Sequence, residues 1–174
     1  NQFIQAEKIT KDLNPIYGTI QKLHQRDTDL LTLCEDKVFK VVSHKDALYK
    51  ADGNPQLTAT DKVLGQTTPF VGEYGISKDP ESFASESFRF YFSDRTRGAV
   101  LRLSQNGITP ISDVGMRDWF SDKLKVASKI LGTFDSYKNS YNITIHDYEG
   151  SRAGDPKTLS YIENVKGWSS FKSF

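Results

Sequence analysis

Between Phe88 and Ser112 the chain reads FRFYFSDRTRGAVLRLSQNGITPIS, and no other stretch restricts the fold as much. Phe88, Phe90 and Phe92 alternate with Arg89, Tyr91 and Ser93. Beyond a charged break, Val100, Arg102 and Ser104 alternate with Leu101 and Leu103. Successive side chains of a strand point to opposite faces, so a period of two marks strands. Asn106-Gly107 accepts positive φ and predicts a turn, and Ile108 to Ile111 would open a third strand. The break itself, Asp94 to Gly98, reads as a solvated hairpin tip whose charges discourage edge pairing. Its competing reading is a site in which Arg95 and Arg97 grip a phosphate or carboxylate through their forked guanidinium groups. Phe90, Phe92, Leu101 and Leu103 are the expected packing residues. Tyr91 and Val100 imply that the other face is covered too, as in a stacked blade; a sheet with one wet face alternates more cleanly.

The rest of the chain repeats this strand-pair pattern. Leu30, Leu31 and Leu33, then Val38, Val41 and Val42, flank Glu35-Asp36-Lys37 as two strands around a charged turn. Tyr141 to Tyr148 follows Thr133-Phe134 as a further hairpin, and Asp155-Pro156 punctuates before a last strand pair. Two segments depart from it. Residues 44–87 show weak periodicity and carry the turn cluster Asp52-Gly53-Asn54-Pro55, which reads as a long excursion between strands. Within it, Asp79 and Pro80 suit the cap and first position of a short helix. Residues 114–131 place Met116, Trp119, Phe120, Lys123, Leu124, Ala127 and Ile130 at helical spacing, with Asp113 as cap and Gly132 as stop. The expected fold class is mainly β with one helix, built from seven to nine strands in antiparallel pairs. Propeller-like blades are the preferred architecture and a β-sandwich the alternative. Residues 1–174 are read as a single β-rich segment. The chain opens on Asn1 and closes on the aromatic run WSSFKSF, so it is expected to be a piece of a longer polypeptide.

Chemistry is sparse by the same reading. The 23 basic and 22 acidic residues give a net charge of +1, without the basic excess of a broad nucleic-acid footprint. No apolar run is long enough for a membrane span. Cys34, the single cysteine, allows no intrachain disulfide and reads as a small buried side chain. His24, His44 and His146 lack the spacing of a zinc site. No Ser-His-Asp, paired-carboxylate or glycine-rich phosphate pattern stands out. The expectation is therefore a protein that is not an enzyme, with no catalytic residue, cofactor or metal. Candidate contact residues are Tyr74, Arg95, Arg97, Tyr148 and Trp168, as aromatic or guanidinium groups suited to interfaces.

Three stretches carry a family resemblance: TIQKLHQRDTDLLTLCEDKVFKV, the long run from ADGNPQLTATDKV to SDVGMRDWFSDKL, and VKGWSSFKSF. Together, over residues 16–174, they resemble large virion structural proteins of tailed bacteriophages. GEYGISKDPESFASES and RGAVLRLSQNGITPIS are the most specific portions. The resemblance implies a tail-associated structural component with a propeller-like body, hub- or nozzle-like or associated with the baseplate. It also implies location in the virion, other virion chains as partners and a homo-oligomeric, symmetric setting; it brings no catalytic residues. Two other readings share part of the pattern. FYFSDRTRGAVLRLSQNG is similar to blades of NHL and sugar-lactonase propellers, which would make Asp94 and Asn106 the nearby ligand candidates. A host-recognition adhesin at the tail tip would expose Tyr74, Tyr148 and Trp168.

Overall fold

A computed structural model describes residues 10–26, 29–49, 55–149, 152–153 and 156–172. The chain divides into two compact units, Asn1–Phe70 and Val71–Phe174, where the sequence suggested one segment.

The first unit is an antiparallel sheet of four strands in chain order: β1 (Ile20–Gln25), β2 (Asp29–Cys34), β3 (Val38–Tyr49) and β4 (Pro55–Pro69). Asn14-Pro15 starts a single 3-10 turn ahead of it, closed by the Ile16 amide donating to Asn14 Oδ1 at 3.1 Å. Leu31, Leu33, Val38, Phe39, Val41 and Val42 are buried, and Tyr17 meets the Phe39 ring edge-on at 5.4 Å. The expected strand pair around residues 35–37 is β2 and β3. The expected excursion over 44–87 is corrected in its first half, because β3 and β4 continue through it as a paired ribbon with register Lys45↔Ala59 to Tyr49↔Pro55. Register shifts on either side of Ser43 change the phase of the alternation, which erases the period-two signal from the sequence. Most of the predicted Asp52-to-Pro55 turn, residues 52–54, lies outside the described residues.

The second unit holds two sheets and the helix. β5 (Ala84–Glu86), β6 (Arg89–Asp94), β7 (Ala99–Ser104) and β8 (Gly107–Pro110) form one antiparallel meander. β9 (Ala127–Asp135), β10 (Ser140–Glu149), β12 (Lys157–Ile162) and β13 (Gly167–Lys172) form the next, and the two-residue β11 (Arg152–Ala153) pairs with the end of β10. The fold is thus mainly β with one helix, and the described residues form three antiparallel sheets of four, four and five strands. That arrangement is consistent with the blade-like expectation and with the β-sandwich alternative.

One buried cluster joins the two sheets of this unit. Tyr91 and Val100 from the first meet Ile130, Tyr141, Ile143, Leu159 and Tyr161 from the second, with Phe120 and Leu124 of the helix. The Tyr91 ring stacks on Tyr141 at 4.9 Å and on Phe134 at 5.6 Å. Phe90, Phe92, Leu101 and Leu103 lie on the opposite face of β6 and β7 and are at most 3% exposed. This sheet is therefore buried on both faces, as its weak polar alternation implied.

The helix α1 is shorter than predicted, Arg117–Val126 instead of 114–131. Ala127 and Ile130 keep their core positions but belong to β9, paired with Asp147 and Ile145 of β10. Ladder pairing outweighs the helical periodicity there. Met116, not Asp113, occupies the cap. Gly132 does not end a helix; it is a β9 residue, and the Ser82 carbonyl lies so close that a Cβ would sit 1.9 Å from its oxygen. Pro80–Ser82 forms the predicted short helix as one 3-10 turn, with Pro80 first and no cap bond from Asp79.

Candidate functional site

The charged stretch Asp94–Gly98 is the four-residue turn between β6 and β7 with the strand-end residue before it, closed by the pair Asp94↔Ala99. It is not a solvated tip. Asp94 is fully buried and accepts four hydrogen bonds: from the Gly75 amide at 3.2 Å, Ser77 Oγ at 3.0 Å, the Arg97 amide at 3.0 Å and Arg97 Nη1 at 2.9 Å. Ser77 holds a left-handed backbone, φ 52°, and its hydroxyl also accepts from the Thr96 amide at 3.2 Å. Arg95 grips Asp79 with both prongs, Nε to Oδ2 at 2.9 Å and Nη2 to Oδ1 at 2.5 Å. Gly98 ends the turn at φ 65°, and a Cβ there would lie 2.6 Å from Ser121 Cα of the helix. The turn is thus clamped by the 75–79 loop and α1. A buried carboxylate is tolerated only when it is paired and hydrogen-bonded, and this one is. The guanidinium forks bind the protein's own carboxylates, so the anion-site reading of Arg95 and Arg97 is replaced by a structural one.

A second node sits at the opposite end of β6. Glu163, just past β12, accepts from Tyr91 Oη at 2.5 Å and pairs with Arg89 Nη1 and Arg102 Nε, each at 2.7 Å. Burial pushes the Glu163 carboxyl up, but the Tyr91 hydrogen bond and the two guanidinium groups outweigh it and hold it below its ordinary value. Burial, then the bond to Glu163, pushes the Tyr91 hydroxyl well above its ordinary value. Two pH effects follow. The Glu163 contribution to stability is complete above about 4.5 and disappears as pH falls through its depressed folded value. The Tyr91 contribution is complete below about 10 and disappears as pH rises through its raised folded value. The urea midpoint is expected to fall on both sides of a neutral plateau, with Glu163→Gln flattening the acid arm and Tyr91→Phe the alkaline arm.

A third carboxylate, Asp147 of β10, receives Lys123 Nζ from α1 at 2.9 Å and lies 3.4 Å from Lys157 Nζ of β12. Burial opposes its ionisation, and the two ammonium groups overcome that and lower its pKa. All three nodes join elements distant in sequence, and none was legible as a motif. The usable signal was charge placed inside strand patterns, at Arg89, Asp94, Arg102 and Asp147, since a strand carrying apolar residues on both faces can bury a charge only against a partner.

Of the predicted contact residues, the structure brings Tyr74, Arg95 and Arg97 to one place, since the Gly75 amide next to Tyr74 and Arg97 Nη1 both reach Asp94 Oδ2 and Arg95 holds Asp79 of the same loop. Arg95 and Arg97 are engaged as described. Trp168 is half-buried, donates Nε1–H to the Ile111 carbonyl at 2.9 Å and packs on Phe120 at 4.6 Å and Tyr161 at 5.3 Å, so part of its ring serves packing within the unit. Tyr74 is half-buried, beside Gly72, which has φ 106°. The Tyr148 side chain lies outside the described residues. The Cys34 thiol is buried, and burial, then the neighbouring Glu35 charge, raises its pKa, which keeps it protonated. Asp94 and Asn106, the lactonase-type ligand pair, sit at opposite ends of β7. Among the described residues no group of three or more His, Cys, Asp or Glu could hold a metal, and no helix is long and apolar enough to cross a membrane.

What the sequence reading missed is a set of exposed turns at the Glu163 end of the second unit. Phe88 lies in the β5–β6 turn, Tyr137 in the β9–β10 turn and Val165 in the β12–β13 turn, exposed by 72, 95 and 69%. Arg89 ties the first turn to Glu163, while the Glu163 amide donates to the Asn139 carbonyl and Asn139 Nδ2 to Asn164 Oδ1, which tie the other two. Asn139 and Lys166 end their turns in the left-handed region, each at φ 49°. Lysine is strained there, by about 1 kcal/mol. Lys166→Gly is expected to raise unfolding stability by about 0.5 to 1 kcal/mol in urea titration. Compared with protein families and with curated proteins, the chain matches no family model and no curated relative.

Proposed function

We propose that this chain is a structural component of a tailed-phage virion, placed in the tail and acting through protein–protein contact rather than catalysis. The observation that carries the reading is the use of its charged groups. The densest clusters, around Asp94, Glu163 and Asp147, are ion-paired frameworks that lock turns and sheets, while large apolar side chains stand exposed on turns. That division suits a part that must hold its shape and present surface to neighbours. The resemblance of GEYGISKDPESFASES and RGAVLRLSQNGITPIS to virion proteins supplies the setting. Separation of Asp94 from Asn106 weighs against the propeller-enzyme reading, and the internal engagement of Trp168 weighs against its part in an adhesin.

Purified particles decide the matter. Quantitative mass spectrometry is expected to find the polypeptide in washed virions at a fixed copy number, and gold-labelled antibody to place it on the tail. Recovery from infected-cell lysate alone, never with particles, would sink the proposal.

A further inference from the structure

The two ends of β7 carry turns of opposite character. At one, Gly98 lies against the backbone of α1 and the Asp94 network holds the turn shut. At the other, Gln105 and Asn106 join β7 to β8, and Ser104 pairs with Gly107 across them. Gln105 and Asn106 are exposed. The left-handed residue is Gly107, at φ 96°, and a Cβ there would meet nothing within 4 Å. Among the described residues β8 pairs with β7 alone. Nothing packs over this turn, and an edge strand can open without unfolding the sheet behind it.

Asn106 also differs from the other described asparagines. Asn139 Nδ2 donates to Asn164 Oδ1 at 3.1 Å, which ties up both of those side chains. Asn142 lies in β10 between β9 and β12, and its Oδ1 accepts from Ser160 Oγ. Asn14 Oδ1 accepts from the Ile16 amide, and the next residue is Pro15, whose nitrogen carries no hydrogen. The Asn106 backbone amide donates to Ser104 Oγ at 3.4 Å, while its side-chain amide makes no hydrogen bond among the described residues. Its successor is glycine, the residue that lets the main chain swing most freely and puts no side chain in the way.

We infer that Asn106 is a site of spontaneous self-modification, attacked by the backbone nitrogen of Gly107. That nitrogen loses its proton and bonds to Asn106 Cγ, closing a cyclic imide. The Cγ–Nδ2 bond breaks, and Nδ2 leaves with the proton as ammonia. Water then opens the imide, with no oxidation or reduction at any step. Cleavage between Cγ and the Gly107 nitrogen gives aspartate. Cleavage between the Asn106 main-chain carbonyl carbon and that nitrogen gives isoaspartate, whose main chain runs through Cγ. Isoaspartate lengthens the turn by one carbon, so Ser104 and Gly107 lose their register and β8 loosens. The site stands apart from the virion reading and does not depend on it.

The test is peptide mapping by mass spectrometry of the full chain, kept folded at physiological pH and temperature for several weeks. Conversion at Asn106 is expected to run about tenfold ahead of that at Asn14, Asn139, Asn142 and Asn164, because its turn opens locally. Isoaspartate is expected beside aspartate. Asn106→Gln, whose longer side chain closes a less favourable ring, is expected to keep its amide, and circular dichroism checks that it folds. Hydrogen exchange of the aged chain should show faster amides in β8 with β6 unchanged. Asn106→Asp carries the charge without the extra carbon and should keep β8 protected. An Asn106 that stays intact in the folded chain while it converts in the urea-unfolded chain would overturn the inference, since the turn would then protect it. So would aspartate formed without isoaspartate, which would mean direct hydrolysis of the side chain and no ring.

Discussion

Gly132→Ala is expected to destabilise the second unit by about 3 kcal/mol or more, near the upper range for overpacking. The added methyl would sit 1.9 Å from the Ser82 carbonyl oxygen, 2.6 Å from its carbon and 2.8 Å from Tyr141 Oη. The oxygen and carbon are backbone, so no flexible side chain can give way. Moving them would also break the 2.7 Å bond from Tyr141 Oη to that carbonyl, and Tyr141 is fully buried in the stack with Tyr91. Gly167→Ala supplies the control, because its nearest neighbour would lie 3.8 Å away. Urea or thermal unfolding of the two variants should separate sharply, with Gly167→Ala close to wild type.

Asp94→Ala is the second large effect. It leaves the buried Gly75 amide without its acceptor, releases Ser77 and the Arg97 amide, and removes the Arg97 counter-charge. Breaking a buried charged pair by deleting one partner costs about 3 to 5 kcal/mol. Arg97 is part-exposed and can find water, which places the expected loss near the lower figure. Asp94→Asn keeps two acceptor lone pairs and should recover part of it. A solvated turn would lose within 0.5 kcal/mol in either variant. Equilibrium unfolding in urea measures the difference.

These two sites show which features the sequence made legible. Alternation at Phe88–Ser104 and the Asn106-Gly107 turn marked β6, β7 and β8 because local pairing and the pleat dictate them. The same rule failed at residues 44–69, where bulges reset the phase, and at Ala127–Ile130, where a helical spacing of apolar residues suited a strand equally well. Gly132 read as a helix stop because a glycine's need for space is invisible until the Ser82 carbonyl is placed over it. Asp94 to Arg97 read as a wet tip because charge density alone cannot tell solvent from a carboxylate clamped by Gly75 and Ser77, nineteen and seventeen residues earlier. Glu163 gave no signal at all: its partners Arg89, Tyr91 and Arg102 meet it only once two sheets face each other. Phe88 read as the first residue of a strand and Tyr137 and Val165 drew no reading, because their shared neighbourhood depends on the bonds around Glu163 and Asn139.

The central claim is that the densest charges of this chain build its framework instead of facing solvent or substrate. Amide hydrogen exchange at the 94–98 turn tests it most directly. The Gly75 and Arg97 amides donate to a buried carboxylate, so both are expected to exchange at the slow rate of the β6 and β7 core, opening only with the whole unit. Exchange of these amides within seconds under native conditions, while β6 and β7 stay protected, would make the turn a loose solvated tip and contradict the account.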